Sequence, residues 1–130
     1  MKKYNILHLD DNPVFINIIK VILENSYINY DFVHCDDEAY NFLKRKIPDL
    51  MIVDLIRNGD CCDYCDYEPG INFIKKINSE FPNLKIMVVT GSPDETLQNK
   101  LEKYIISYEH KNFVPLEFRK KVMNILETNI

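Results

Sequence analysis

The sequence predicts an α/β domain built on a five-stranded parallel sheet with five helices. Five short apolar runs, each of a length typical of buried strands, alternate with segments whose apolar residues recur at helical spacing. This alternation is typical of right-handed βαβ units, in which consecutive strands lie parallel and helices pack on the sheet. Only the segment 57–68 is a long connection, and it has no periodicity.

The first strand is predicted at residues 3–9 and the first helix at 13–24. Asn12 is a preferred N-cap residue, and Pro13 suits the first helical position because the N–H that it lacks would have no partner there. Apolar residues at helical spacing predict the buried stripe of this helix, which comprises Val14, Phe15, Ile18, Ile19, Ile22 and Leu23.

The remaining elements follow from the same two patterns. Apolar runs predict strands at 30–35, 50–55, 84–89 and 105–109. Capping residues and prolines predict helices that start at Asp36 or Asp37, after Pro69-Gly70, at Pro93 and at Pro115. The inner residues expected for the third helix are Ile71, Phe73, Ile74 and Ile77.

Composition narrows the class of protein. A chain of 130 residues with 46% hydrophobic residues is long enough for one domain with its own core. The net charge of −4, without a dominant basic cluster, argues against nucleic acid as a partner. No apolar run has the length of a membrane span, and no signal peptide is recognisable, so we expect a cytoplasmic protein with reduced cysteines and no membrane contact.

Polar side chains follow four of the five predicted strands. Asp10 and Asp11 follow the first, Asp54 the third, Thr90 the fourth and Lys111 the fifth. Each alone could be a helix cap, a loop residue or a surface charge. Parallel strands end at one edge of the sheet, however, where ligands bind in open α/β folds. Three carboxylates there repel one another unless a cation such as Mg²⁺ is bound, and the set as a whole suits phosphoryl transfer to a carboxylate.

These residues resemble the receiver domain of two-component response regulators. The matching motifs are Leu9-Asp10-Asp11, Asp54 after an apolar strand, Thr90-Gly91 and Lys111, and they occur in order over essentially the whole chain. The resemblance implies a flavodoxin-like doubly wound sheet with strand order 2-1-3-4-5. It also implies that residues 1–130 form a single receiver domain.

The resemblance assigns the phosphorylation chemistry to particular residues. Asp54 would accept a phosphoryl group from the phosphohistidine of a partner kinase. Mg²⁺ would be bound by Asp11 directly, by Asp10 largely through water, by Asp54, and by the backbone carbonyl of Ile56.

The resemblance also implies a switch. Thr90 and Lys111 would contact the phosphoryl group, and Tyr108 matches the aromatic residue that turns inward as Thr90 moves. The alternative is that Tyr108 is an ordinary strand residue packed on the fourth helix.

The chain departs from the family pattern in two places. The glycine of Pro69-Gly70 lies further from Asp54 than usual, which implies an insertion of roughly eight residues and an enlarged loop at about 57–69. Asn112 follows Lys111 where the family has proline. The enlarged loop could alter access to the site. The replacement of proline by Asn112 could alter the local geometry of the site.

Cys61, Cys62 and Cys65 lie in the enlarged loop. Three cysteines could contribute to a zinc site only with a fourth ligand, and Cys62 and Cys65 have the spacing of a redox pair. The other interpretation is an acidic flap beside the site. His8, inside the first strand, is interpreted as a core residue, and His34 and His110 as surface or strand-end residues.

Three functions compete. The first is a phosphorylatable signalling switch, not an enzyme, with a sensor histidine kinase or phosphotransfer protein, a downstream protein and a second copy in a homodimer as partners. It would act as a stand-alone regulator or phosphorelay carrier, or be part of a longer protein. The second is a pseudo-receiver that binds a partner without phosphorylation. The third, a phosphatase or flavodoxin on a related fold, is disfavoured because neither Asp10 nor Asp54 is followed by an aspartate two residues later, and because Asp11-Asn12-Pro13 cannot form a phosphate loop.

Overall fold

A computed structural model of the chain describes residues 3–25, 27–55, 68–91 and 95–128. The strands are β1 Tyr4–Leu9, β2 Ile28–Val33, β3 Leu50–Val53, β4 Ile86–Thr90 and β5 Ser107–His110. The helices are α1 Pro13–Leu23, α2 Asp36–Arg45, α3 Glu68–Glu80, α4 Glu95–Leu101 and α5 Pro115–Glu127. All strand pairs are parallel, in the order β2-β1-β3-β4-β5, which confirms the predicted fold class.

Two apolar layers cover the faces of the sheet. Because side chains alternate along a strand, Leu7 and Leu9 of β1 face one layer and Ile6 faces the other. The first layer contains buried residues of α2, α3 and α4, and the second those of α1 and α5. Burial on both faces explains why the central strands are continuous apolar runs. The four inner residues predicted for α3 are all buried, as expected.

The buried stripe of α1 is narrower than the sequence predicts. Phe15, Ile16, Ile19 and Leu23 are buried, whereas Val14 is 67% exposed and Ile18 is 43% exposed. The prediction was therefore wrong for two residues and missed Ile16. A helix that packs on one sheet face buries only one stripe of its surface, so an apolar residue outside that stripe stays in solvent.

The start of α2 also differs from the prediction. The N-cap is Cys35, whose side chain makes no capping hydrogen bond, rather than Asp36 or Asp37. The acidic residues lie in the first turn instead, where their charge is favourable near the positive end of the helix dipole. The expected helix start at Pro93 lies outside the described residues, and the described part of α4 begins at Glu95.

Gly70 lies in the first turn of α3 and contacts the backbone that follows β3. A Cβ atom at this position would lie 2.6 Å from the carbonyl oxygen of Leu55, the residue after Asp54. The close approach requires glycine here. It also places α3 directly against the chain next to Asp54, with residues 56–67 lying between them in sequence.

We expect Gly70→Ala to lower the free energy of unfolding by about 1–3 kcal/mol, because the added methyl group meets backbone rather than a flexible side chain. Gly91→Ala is the matched control, since nothing lies within 4 Å of a Cβ there. Urea denaturation of the two variants measures the difference. Equal stabilities would contradict the close packing of α3 on Leu55.

None of the described helices is long and apolar enough to cross a lipid bilayer.

Candidate functional site

Three carboxylates meet at the carboxyl ends of β1 and β3. Asp10, Asp11 and Asp54 each offer an oxygen, and these oxygens lie within 4.8 Å of one another. Asp10 is fully buried, Asp54 is 4% exposed and Asp11 is half-buried. The structure thus brings together the acidic residues that the sequence predicts at this edge.

Backbone hydrogen bonds hold the carboxylates in place beyond the ends of the strands. The N–H of Asp10 donates to the carbonyl of Val33 at 3.1 Å, and the N–H of Asp54 donates to that of Leu9 at 3.0 Å. The sheet ladder therefore continues through both aspartates. Asn12 caps α1, as predicted, by accepting hydrogen bonds from two backbone N–H groups. Hydrogen bonds therefore fix the residues on both sides of Asp11.

Lys111 is the cation of the site. Its Nζ donates a hydrogen bond to Asp54 Oδ2 at 3.0 Å and lies 3.4 Å from Asp10 Oδ2. Its backbone N–H donates to the carbonyl of Thr90 at 2.9 Å, which anchors it beside β4. The ammonium also lies 4.4 Å from the centre of the Phe15 ring, a contact that the sequence did not predict.

Burial and the two carboxylates act on Lys111 in opposite directions. Burial alone would lower the pKa of its ammonium, but the negative charge and hydrogen bond of Asp54, with the charge of Asp10, raise this pKa above its usual value. Lys111 is therefore charged at neutral pH and offsets part of the repulsion among the carboxylates.

We expect Lys111→Met to lower the free energy of unfolding by about 1–3 kcal/mol when divalent cations are absent, because it leaves buried carboxylates without their cation. The control is Lys121→Met, which removes an exposed ion pair with Glu109 and should cost about 0–1 kcal/mol. Thermal or urea denaturation in chelator compares the two. Equal losses would contradict the role of Lys111 as counter-ion.

The surroundings of Asp10 fit a bound cation. Its Oδ1 accepts a hydrogen bond from the N–H of Asn12 at 2.9 Å, whereas its buried Oδ2 forms none within the described part of the chain. Burial alone would raise the pKa of Asp10, but its contacts with His8 and the Asn12 N–H and the charge of Lys111 hold it below the usual value. A buried, ionised oxygen that lacks a hydrogen bond is available as a metal ligand.

The donor set matches Mg²⁺, which takes one or two carboxylates and several waters. Asp10, Asp11 and Asp54 are the described residues that could hold the ion. The carbonyl of Ile56, the fourth predicted ligand, lies outside the described residues, as do Cys61, Cys62 and Cys65.

Thr90 and Tyr108 lie on the neighbouring strands β4 and β5. Thr90 is the last residue of β4 and is fully buried, and it is paired with His110 of β5. Tyr108 is half-buried and packs against the apolar layer that contains Leu97 of α4. The switch role of this pair stays a prediction.

The loop after Lys111 uses a hydrogen bond that proline could not make. The backbone N–H of Asn112 donates to His110 Nδ1 at 3.0 Å, and His110 Nε2 lies 3.1 Å from the carbonyl of Gly91. His110 thereby bridges the loops that follow β4 and β5. Asn112, which stands where the family has proline, thus allows a backbone hydrogen bond that closes this loop.

The sequence profile of the response regulator receiver domain matches residues 6–123. This chain belongs to that family. The matched range includes Asp10, Asp54, Thr90 and Lys111, so the resemblance drawn from the sequence is confirmed.

Response regulators of known structure share its fold. A response regulator from Thermotoga maritima has a TM-score of 0.82 at 25% identity, with 97% of this chain and 99% of that one covered. RcsB from Salmonella typhimurium has a TM-score of 0.80 at 26% identity, with 96% of this chain and 60% of RcsB covered.

A relative by sequence is the sensor histidine kinase TmoS of Ectopseudomonas mendocina. It is 30% identical in a match that covers 96% of this chain. The chain spans 12% of the length of TmoS.

Proposed function

We propose that this receiver domain is a signalling switch whose Asp54 accepts a phosphoryl group in a Mg²⁺-dependent reaction. The observation that carries the proposal is the convergence of three carboxylates with Lys111 at one edge of the sheet. Such a set provides a nucleophile, ligands for a divalent cation and a fixed positive charge.

The residues of the site have distinct roles in the proposed reaction. A carboxylate oxygen of Asp54 attacks the phosphorus atom of a phosphohistidine, a new P–O bond forms, and the P–N bond breaks with its electron pair moving to the imidazole. Mg²⁺, when bound, neutralises charge on the phosphoryl oxygens. Lys111 exchanges its contact with Asp54 for one with a phosphoryl oxygen, and the Thr90 hydroxyl holds another.

The proposed donor is a sensor histidine kinase or a phosphotransfer protein. The similarity to a sensor histidine kinase supports this choice, although the chain covers only a small part of that protein. The receiver then acts on a downstream protein or on a second copy of itself, in the cytoplasm, without contacting nucleic acid or membrane. We further propose that residues 1–130 form a single receiver domain with an enlarged loop at about 57–69.

The direct test is incubation with acetyl phosphate and Mg²⁺, followed by intact-mass measurement. We expect one phosphoryl increment, which disappears in excess chelator. An unmodified mass under conditions that phosphorylate a known receiver domain would instead favour a pseudo-receiver that binds its partner without phosphorylation.

We expect phosphorylation to change the surface formed by α4, β5 and α5, because Thr90 at the site lies on the strand beside β5, and Tyr108 of β5 packs against the apolar layer that includes α4. Amide hydrogen exchange with and without a phosphoryl mimic should differ there. In Thr90→Val, which keeps the shape but lacks the hydroxyl, the difference should shrink. Changes confined to α1 and α2 would refute this output surface.

A further inference from the structure

His8 is a fully buried polar residue that the proposed reaction leaves without a role. It lies in β1, two residues before Asp10, on the sheet face covered by α1 and α5. Its Nδ1 lies 2.6 Å from the hydroxyl of Tyr30 on β2, and its Nε2 lies 3.5 Å from Asp10 Oδ2. The imidazole therefore lies between a tyrosine and a predicted metal ligand.

The protons of this group can be placed in two ways. If Tyr30 donates to the carbonyl of Ile16, 3.2 Å away, then a neutral His8 carries its proton on Nδ1. The Nε2 lone pair would then face a carboxylate oxygen, which is repulsive. If Tyr30 instead donates to Nδ1, the proton lies on Nε2 and is directed at Asp10. The carbonyl of Ile16 then loses the hydrogen bond from Tyr30 at little cost, because it lies inside α1 and can still accept the helical hydrogen bond.

The second arrangement is favoured by burial and packing. The imidazole is fully buried, so its ring nitrogens face protein groups rather than solvent, with the Tyr30 hydroxyl beside Nδ1 and Asp10 Oδ2 beside Nε2. Phe15 packs edge-on against the imidazole with ring centres 6.0 Å apart, which restricts its orientation. Of the two arrangements, only the Nε2–H form directs a ring N–H at Asp10 Oδ2, which forms no hydrogen bond with the described residues and lies 3.4 Å from the Lys111 ammonium.

We propose that His8, oriented by the hydroxyl of Tyr30, is a positioning residue for Asp10: its Nε2–H directs the buried carboxylate toward the cation. The inference rests on the proposed Mg²⁺ site, and it adds two residues that support a metal ligand from outside the acidic cluster. Groups that hydrogen-bond to metal ligands commonly change metal affinity by about 10–100-fold when they are removed.

The test is an amide NMR titration of the full chain with Mg²⁺. His8→Leu removes the donor and keeps an apolar side chain in the core, so its dissociation constant should rise by about 10–100-fold. His8→Gln places an amide N–H near the position of Nε2 and should restore most of the affinity. Tyr30→Phe should give a smaller loss. The control is Tyr27→Phe, which makes the same change at an exposed tyrosine just before β2 and should bind like the wild type.

A purely structural role would give a different result. Each variant is also measured for stability without Mg²⁺; if His8→Leu and Tyr30→Phe are folded and bind Mg²⁺ with wild-type affinity, the inference is overturned. Ring ¹⁵N shifts of the metal-free wild type provide a second readout, with the Nε2–H form expected and the Nδ1–H form contradicting it. A wild-type chain that binds no Mg²⁺ overturns the proposed function itself, which is distinct from unchanged affinity in the variants.

Discussion

Asp54→Asn is expected to abolish the phosphoryl mass increment completely. The substitution nearly preserves the shape of a side chain that is 4% exposed, so the fold should be retained. An amide is not a carboxylate nucleophile and cannot form the acyl phosphate. Asp54 also accepts the 3.0 Å hydrogen bond from Lys111, which places it beside the charge that would hold the phosphoryl group.

The control is Asp31→Asn, which makes the same chemical change on an exposed residue of β2. It should be phosphorylated like the wild type. Intact mass after acetyl phosphate treatment compares the three proteins, and peptide mapping of the wild type locates the modified residue. An undiminished increment in Asp54→Asn would mean that another residue, such as Asp11, accepts the phosphoryl group.

Most of the fold could be predicted because its signals are local. β3 and β4 are apolar runs buried on both faces, and a helix start such as Asn12-Pro13 has its own capping chemistry. The errors arose where tertiary packing decides between equivalent local patterns. Val14 is as apolar as Phe15, but only the second faces the sheet.

The acidic part of the site was predictable for a similar reason. A parallel sheet brings the residues that follow its strands to one edge, so chain position alone places Asp10, Asp54 and Lys111 together. The contacts by which His8 and Tyr30 support Asp10 could not be predicted, because they depend on how the side chains of β1 and β2 lie relative to one another. His8 was interpreted only as a core residue, and its burial confirms that much.

Asp11→Ala is expected to remove both Mg²⁺ binding and phosphorylation. Asp10 and Asp54 have Lys111 as a nearby cation, whereas Asp11 is the most exposed of the three carboxylates. It is therefore best placed to bind an ion that keeps part of its water shell. Removing one of three carboxylate charges that would face a divalent ion should weaken its binding by at least about 100-fold.

The metal titration and the phosphorylation assay together decide whether Asp11 acts through Mg²⁺. Asp31→Ala, which removes an exposed carboxylate on β2, should leave both unchanged. If the reaction requires the metal, raising the Mg²⁺ concentration should restore part of the phosphorylation in Asp11→Ala, because Asp10 and Asp54 still offer oxygens. Full phosphorylation of the wild type in excess chelator would contradict this account. The reaction would then proceed without a cation to offset the repulsion among the three carboxylates.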